Sequence, residues 1–160
     1  MKLTVVPEVQ PWYQDGLRFT CTQCGNCCTG GPGYIWITDE EIQRLAAHLK
    51  LTAEETVRKY CRNVSGRFSL KEKLRDGLHD CIFLQEAEVT SANGKGREKR
   101  LVCSVYPVRP LQCRTWPFWD GNLVSPESWE RAGGRCPGLG KGRLYNREQV
   151  DALRDAADWP

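Results

Sequence analysis

Long apolar runs are missing from this chain. The stretch Met1 to Trp12 offers only the short run Leu3 to Val6 before Pro7. That is too short for a signal-peptide core and far below the roughly 20 residues of a membrane span, so the cytoplasm is the expected compartment. An excess of one charge is missing too: 23 Lys and Arg against 20 Asp and Glu leave a formal net charge of +3. With no basic stripe, this excludes an electrostatic footprint for nucleic acid. Neither G-x-x-x-x-G-K-[ST] nor G-x-G-x-x-G occurs, so the glycines between Gly133 and Gly142 do not form a phosphate cradle. G-x-S-x-G, H-E-x-x-H and a cysteine–histidine nucleophile pair are absent as well.

Cysteine, by contrast, is plentiful. Nine occur in 160 residues, and in a reducing compartment an odd set of nine does not read as a disulfide framework. With 27% charged residues and a mean hydropathy of -0.55, the chain suits one domain whose modest core is stapled by ligand bonds. Four of the nine, Cys21, Cys24, Cys27 and Cys28, crowd into F-T-C-T-Q-C-G-N-C-C-T-G from Phe19 to Gly30. A deprotonated thiol is a soft anionic ligand, and metal explains such crowding better than packing does. In Cys21-x2-Cys24-Gly25 both sulfurs can face one ion while the glycine takes a positive φ. Cys27 extends the register to C-x2-C-x2-C, the spacing that wraps a cubane iron–sulfur cluster in bacterial ferredoxins. Adjacent Cys27 and Cys28 diverge by about 100° on a helix or about 180° on a strand. One of them is therefore expected to serve a second site or another metal of one cluster, the plain alternative for Cys28 being a buried spacer.

Further along, Thr38 with Glu41 and Thr52 with Glu55 are capping boxes that open two helices. The first presents Ile42, Leu45, Ala46 and Leu49 on one face, with Ile37 and Ile42 as a staple. Cys61 falls on the inner side of the second helix with Val57 and Tyr60 and reads as structural. Past Gly66 the period alternates: Phe68, Leu70 and Leu74 share a face, Arg75-Asp76-Gly77 makes a three-residue loop, and Leu78 to Leu84 returns. His79, Cys81 and Phe83 share a face of that return. Cys81 is a ligand candidate; His79 is a ligand, a donor to a thiolate, or a half-exposed strand histidine. A second hairpin around Asn93-Gly94-Lys95-Gly96 brings back Cys103 beside Leu101 and Val105. Pro107, Pro110 and Pro117 argue against ordinary helix up to Trp119. Cys113 is then an anchor, Trp116, Phe118 and Trp119 a dry shell, and Arg109 and Arg114 either donors to sulfur or surface ion-pair partners. Cys136-Pro137 follows. Asn146 with Gln149 caps a last helix, Tyr145 against Val150, with Val150, Leu153 and Ala157 facing inward.

Setting Cys61 aside leaves Cys21, Cys24, Cys27, Cys28, Cys81, Cys103, Cys113 and Cys136, enough for two four-cysteine sites or one larger cluster. This set, in this order, resembles the CxxCxxCC family, also called YkgJ-like cysteine-cluster proteins and described as zinc- or iron-chelating domains. The resemblance runs from about Phe19 to Gly142. It rests on F-x-C-x2-C-G-x-C-C at Phe19 to Cys28, the helix after Ile37-Thr38, C-x-F-L at Cys81 to Leu84, C-x2-Y at Cys103 to Tyr106, R-P-x2-C-R-x-x-P-F at Arg109 to Phe118 and C-P-G-x-G-x-G at Cys136 to Gly142. It implies that these eight cysteines are the family's metal set. Family members resembling flagellin lysine N-methylase add an enzymatic reading, although this chain shows no glycine-rich S-adenosylmethionine loop after a strand.

The expected fold is α+β: a small, irregular, metal-stapled domain with short helices and antiparallel β-hairpins around a cysteine cluster. An N-terminal arm (1–18), a cysteine-cluster domain (19–142) and a C-terminal helix packed on the same domain (143–160) divide the chain. The expected function is a cytoplasmic protein holding zinc or iron, an iron–sulfur cluster included, through eight cysteines in a structural or regulatory role. The competing reading is an iron–sulfur redox enzyme or a relative of protein-lysine methyltransferases. Catalytic zinc wants three protein ligands and an open position, whereas eight cysteines divide into two closed sets of four. Zinc and iron stand about even. A protein partner is admitted, nucleic acid and membrane are not expected, and the oligomeric state stays open.

Overall fold

A computed structural model describes residues 10–91 and 93–156. The run Leu3 to Val6 in the expected arm and Ala157 of the expected last helix lie outside the described residues. The domain is α+β, with short helices among small antiparallel sheets.

Strand β1 (Leu17–Phe19) leads into the cysteine-rich loop, which ends in β2 (Thr29–Gly30), and β3 (Trp36–Ile37) follows. Thr38 then caps α1 (Asp39–Leu49) in a complete box: its hydroxyl accepts the Glu41 N–H at 3.3 Å while Glu41 Oε2 accepts the Thr38 N–H at 3.0 Å. Ile37 and Ile42 are both buried, as a staple requires. Helix α2 (Ala53–Tyr60) opens with the same device at Thr52 and Glu55.

Cys61 does not extend that helix. With φ -113° and ψ 155° it leaves the helical region and opens β4 (Cys61–Val64), where it is buried opposite Leu70 of β5 (Arg67–Leu70). The sheet order is β3-β5-β4. Its neighbour, β6 (Glu72–Arg75), belongs to another sheet with β2 and β7 (Leu78–Cys81), in the order β2-β7-β6. Leu74 therefore does not share a buried face with Phe68 and Leu70; it is 70% exposed. The β6–β7 loop is also one residue shorter than expected. Arg75 pairs with Leu78, leaving Asp76 and Gly77, both at positive φ (51° and 79°), as the two-residue Asp-Gly turn whose twist suits a hairpin.

The second hairpin forms as the alternation predicts, from β8 (Leu84–Thr90) and β9 (Arg97–Cys103). Between Pro110 and Pro117 the chain does contain a helix, α3 (Leu111–Thr115), against the expectation that the prolines forbid one. Five residues fit because Pro110 occupies the N-cap, where no intrahelical N–H is needed, and Pro117 falls after the helix end. Helices α4 (Asp120–Leu123) and α5 (Pro126–Gly133) follow, the latter with Ser125 as cap and Pro126 in its first turn. Strand β10 (Arg143–Tyr145) returns to pair with β1, and α6 (Arg147–Arg154) closes the described chain behind its Asn146–Gln149 box.

Two apolar clusters result. One gathers Ile37, Ile42, Leu45, Cys61, Leu70, Cys81, Phe83 and Val105, with Cys28 and Cys103 packed against it. The other gathers Tyr13, Leu17, Phe19, Phe118, Leu123, Trp129 and Val150, with Trp116 and Cys136 packed against it. Cysteines thus sit on both halves of the core.

Candidate metal centre

The cysteine-rich loop is shaped by Gly25. At φ 75° it starts a single 3-10 turn, Asn26–Cys28, after which Thr29 is fully extended. A Cβ at Gly25 would meet Leu84 Cδ1 at 2.9 Å and the Leu101 carbonyl at 3.0 Å, so glycine also permits the loop to lie against the base of the β8–β9 hairpin. The tight turn changes what Cys27 and Cys28 do. Their side chains were expected to diverge, yet the Sγ atoms are 3.9 Å apart.

The remaining candidates arrive from separate elements. Cys81 ends β7, Cys103 ends β9, Cys113 lies on α3 and Cys136 follows α5. Together with Cys21, Cys24, Cys27 and Cys28 they line one cavity of about 290 Å³. Cys61 is not among the lining residues and packs in the first apolar cluster. All nine are free thiols. Among the described residues, no three His, Cys, Asp or Glu side chains yet stand together as a finished metal site.

Electrostatics divide the thiols. Sharing a proton with Cys28 pulls Cys27 and Cys103 each down to about 7, while Cys28 itself is pushed far up by the same sharing and by burial. Burial pushes Cys81 up to about 11 and raises Cys113 strongly. A cation replacing the Cys28 proton would satisfy three sulfurs at once, since metal and proton compete for thiolate. The donor set fits such an ion. A tetrahedral zinc with bonds of about 2.3 Å sets its sulfurs about 3.8 Å apart, close to the Cys27–Cys28 separation of 3.9 Å. A cubane cluster instead gives each thiolate its own iron, which the C-x2-C-x2-C run and the other sulfurs around the same cavity can supply.

Several residues hold this arrangement. Arg135 Nη2 donates to the carbonyls of Asn26 (3.1 Å) and Thr29 (2.5 Å), and Asn26 Nδ2 returns a bond to the Arg135 carbonyl at 2.8 Å. This clamp secures both ends of the 3-10 turn. Asp80, fully buried beside Cys81, accepts from Thr29 Oγ1 and Arg75 Nε, both at 2.5 Å, and so ties β2 to β7. The Arg75 guanidinium, with help from the Thr29 hydroxyl, holds its carboxyl below the usual range. Arg109 lies 3.6 Å over the Tyr106 ring and reaches Cys21 Sγ with Nη1 at 3.9 Å. Interaction with Cys21, followed by burial, raises the Tyr106 phenol.

Arg109 and Arg114 therefore part company. Arg114 turns to Glu41 (3.6 Å) and to the Arg109 carbonyl (3.1 Å) and makes no sulfur contact. His79 lines the cavity with Nδ1 3.8 Å from Glu72 Oε2, and Glu72 is itself fixed by the Gly33 N–H and Arg62. Trp116 and Trp119 line the cavity as expected, but Phe118 does not; it is buried in the second cluster against Phe19 and Trp129. The sequence alone assigns no role to Glu72, Asp80 or Arg135, of which Asp80 and Arg135 carry one signal, their adjacency to Cys81 and Cys136; Tyr106 appears there only as the last residue of C-x2-Y.

Comparison with known proteins places the chain in a family. The profile of the CxxCxxCC family, described as "Putative zinc- or iron-chelating domain", matches residues 20–137, and the chain belongs to that family. An uncharacterized protein of Methanocaldococcus jannaschii is 28% identical over 106 residues, covering 66% of this chain. The match takes in 48% of that protein, so the chain spans about half the length of this relative. No solved structure matches.

Proposed function

We propose that this member of the CxxCxxCC family holds zinc or iron through Cys21, Cys24, Cys27, Cys28, Cys81, Cys103, Cys113 and Cys136 as a polynuclear thiolate centre with a structural or regulatory role. The supporting observation is that these eight side chains, drawn from both halves of the core, line one cavity while Cys61 stays in the packing. When bound, the metal supplies strong bonds between segments that otherwise meet only through small sheets, so its binding energy is folding energy. The chain's own residues do the rest: Arg135 and Asp80 fix the ligand loop, Arg109 offsets thiolate charge, and Trp116 and Trp119 limit water. We take the reducing cytoplasm as the compartment, because ligand thiols must stay reduced. A regulatory role would act through a protein partner; a net charge of +3 recommends neither nucleic acid nor a membrane surface. Among the described residues, no helix is long and apolar enough to cross a membrane.

A second reading, an iron–sulfur redox protein or a relative of protein-lysine methyltransferases, draws on the exposure of Cys21 and Cys27 at one side of the cavity, which leaves the centre open to a reactant. Metal and acid-labile sulfide analysis of protein purified without oxygen, with a visible spectrum, separates the two. About two zinc ions in colourless protein support two closed four-cysteine sites. Iron with sulfide and a brown colour supports the redox reading. Full metal content in Cys113→Ser would remove that residue from the ligand set.

A further inference from the structure

Three buried side-chain nitrogens among the described residues have no hydrogen-bond acceptor: Arg62 Nε, Arg109 Nε and Trp116 Nε1. Two of them belong to residues that line the cysteine cavity, Arg109 and Trp116. Their situation is unlike that of the same groups elsewhere in the fold. Trp12 Nε1 donates to the Leu123 carbonyl at 2.7 Å, and Trp119 Nε1 donates to the Gln112 carbonyl at 3.1 Å. Leaving a buried N–H without an acceptor forfeits its hydration with no return, and such groups are rare in native structures. An indole N–H can only donate, as can a guanidinium. Both donors therefore call for an acceptor that the oxygens around them do not provide.

For Arg109 a sulfur is already in reach, and Trp116 lines the same thiol-rich cavity. Arg109 touches Cys21 Sγ through Nη1 at 3.9 Å, and neither Arg109 nor Arg135 has a carboxylate partner among the ion pairs of the described residues. Resting on the metal reading above, we propose that Trp116 Nε1–H and Arg109 Nε–H donate to metal-bound sulfur, and that the two are positioning residues that set the electron density of the thiolates. Hydrogen bonds to ligand sulfur withdraw charge from it and tune the metal. Trp116 carries this role through one neutral N–H, so Trp116→Phe removes the donor and keeps an aromatic ring beside Trp119.

The test loads wild type and Trp116→Phe with cobalt(II), whose thiolate-to-metal charge-transfer band reports sulfur directly, and follows zinc loss from both during iodoacetamide alkylation. In the variant the band moves to lower energy and alkylation-driven zinc loss is several-fold faster, while Trp12→Phe, whose N–H serves the Leu123 carbonyl and whose ring does not line the cavity, leaves the band in place. Arg109→Lys keeps the charge and loses the Nε donor; it shifts the band in the same direction. An unmoved band in Trp116→Phe that binds cobalt normally overturns the inference and leaves the metal reading intact. The same shift in Trp12→Phe overturns it too, since that variant loses packing and no sulfur donor. Absence of a thiolate band in wild type overturns the metal reading itself.

Discussion

Replacing Glu41 should weaken the domain far more than its place in a capping box suggests. One carboxylate oxygen closes the box at Thr38, while the other accepts the Leu111 N–H at 2.6 Å, with Arg44 and Arg114 each 3.6 Å away. Glu41 is 5% exposed, so these bonds are shielded from water. A hydrogen bond to a charged group contributes about 1.5–3 kcal/mol, and the Leu111 N–H is orphaned when the acceptor goes. Glu41→Ala is therefore expected to cost about 3 kcal/mol, which for a chain of this size is about 6–12 °C of melting temperature. Glu55 occupies the same position in the second box and is solvated, so Glu55→Ala gives a much smaller drop. Because Leu111 begins the helix that carries Cys113, Glu41→Ala should also speed zinc transfer to a chelator, and Glu55→Ala should not. Melting curves and chelator kinetics on the metal-loaded pair test this; equal effects in the two variants would refute the idea that Glu41 tethers the ligand helix.

Burial pushes the Cys61 thiol up to about 11. At pH 8 it should resist alkylation in folded protein and react after denaturation, as peptide mass spectrometry can read. Cys61→Ser should keep full metal content yet lose about 1–3 kcal/mol for burying a hydroxyl, and metal loss would contradict its place in the core. Burial and its bond to Asp151 raise the Tyr13 phenol. The fold favours the neutral form, so the stabilisation is complete below about pH 10 and disappears as pH rises through the higher folded value. Wild type should lose more melting temperature than Tyr13→Phe between pH 8 and pH 11, and parallel losses would sink this assignment. Arg135→Ala removes the clamp on the 3-10 turn and is expected to release zinc to a chelator several-fold faster, with Arg131→Ala, at an exposed position of α5, as an inert control.

Legibility followed range. The capping boxes at Thr38, Thr52 and Asn146 depend on bonds three residues apart, and all three form. Cysteine spacing identified the eight thiols that share the cavity, because each is flanked by local patterns that fix its strand or loop. What escaped was decided across the chain. Lys71 separates β5 from β6, a break visible only once β3 and β4 are known to claim β5. The convergence of Cys27 and Cys28 needed a 3-10 turn, which lies outside the helix and strand periods. Arg135, Asp80 and Tyr106 hold their partners through isolated contacts with no period at all.

The pairing of β1 with β10, together with the Asn26–Arg135 clamp across 109 positions, also sets an order of events in time. A chain emerging from the ribosome exposes its first four cysteines more than a hundred residues before the strand and arginine that lock their loop. Translation at about 5–20 residues per second makes that interval several seconds or more. During it the loop is an open thiol-rich segment, able to take metal loosely or to react with an oxidant. Secure capture waits for Arg135 and β10, so products truncated or stalled before them would carry reactive thiols without the lock on their loop.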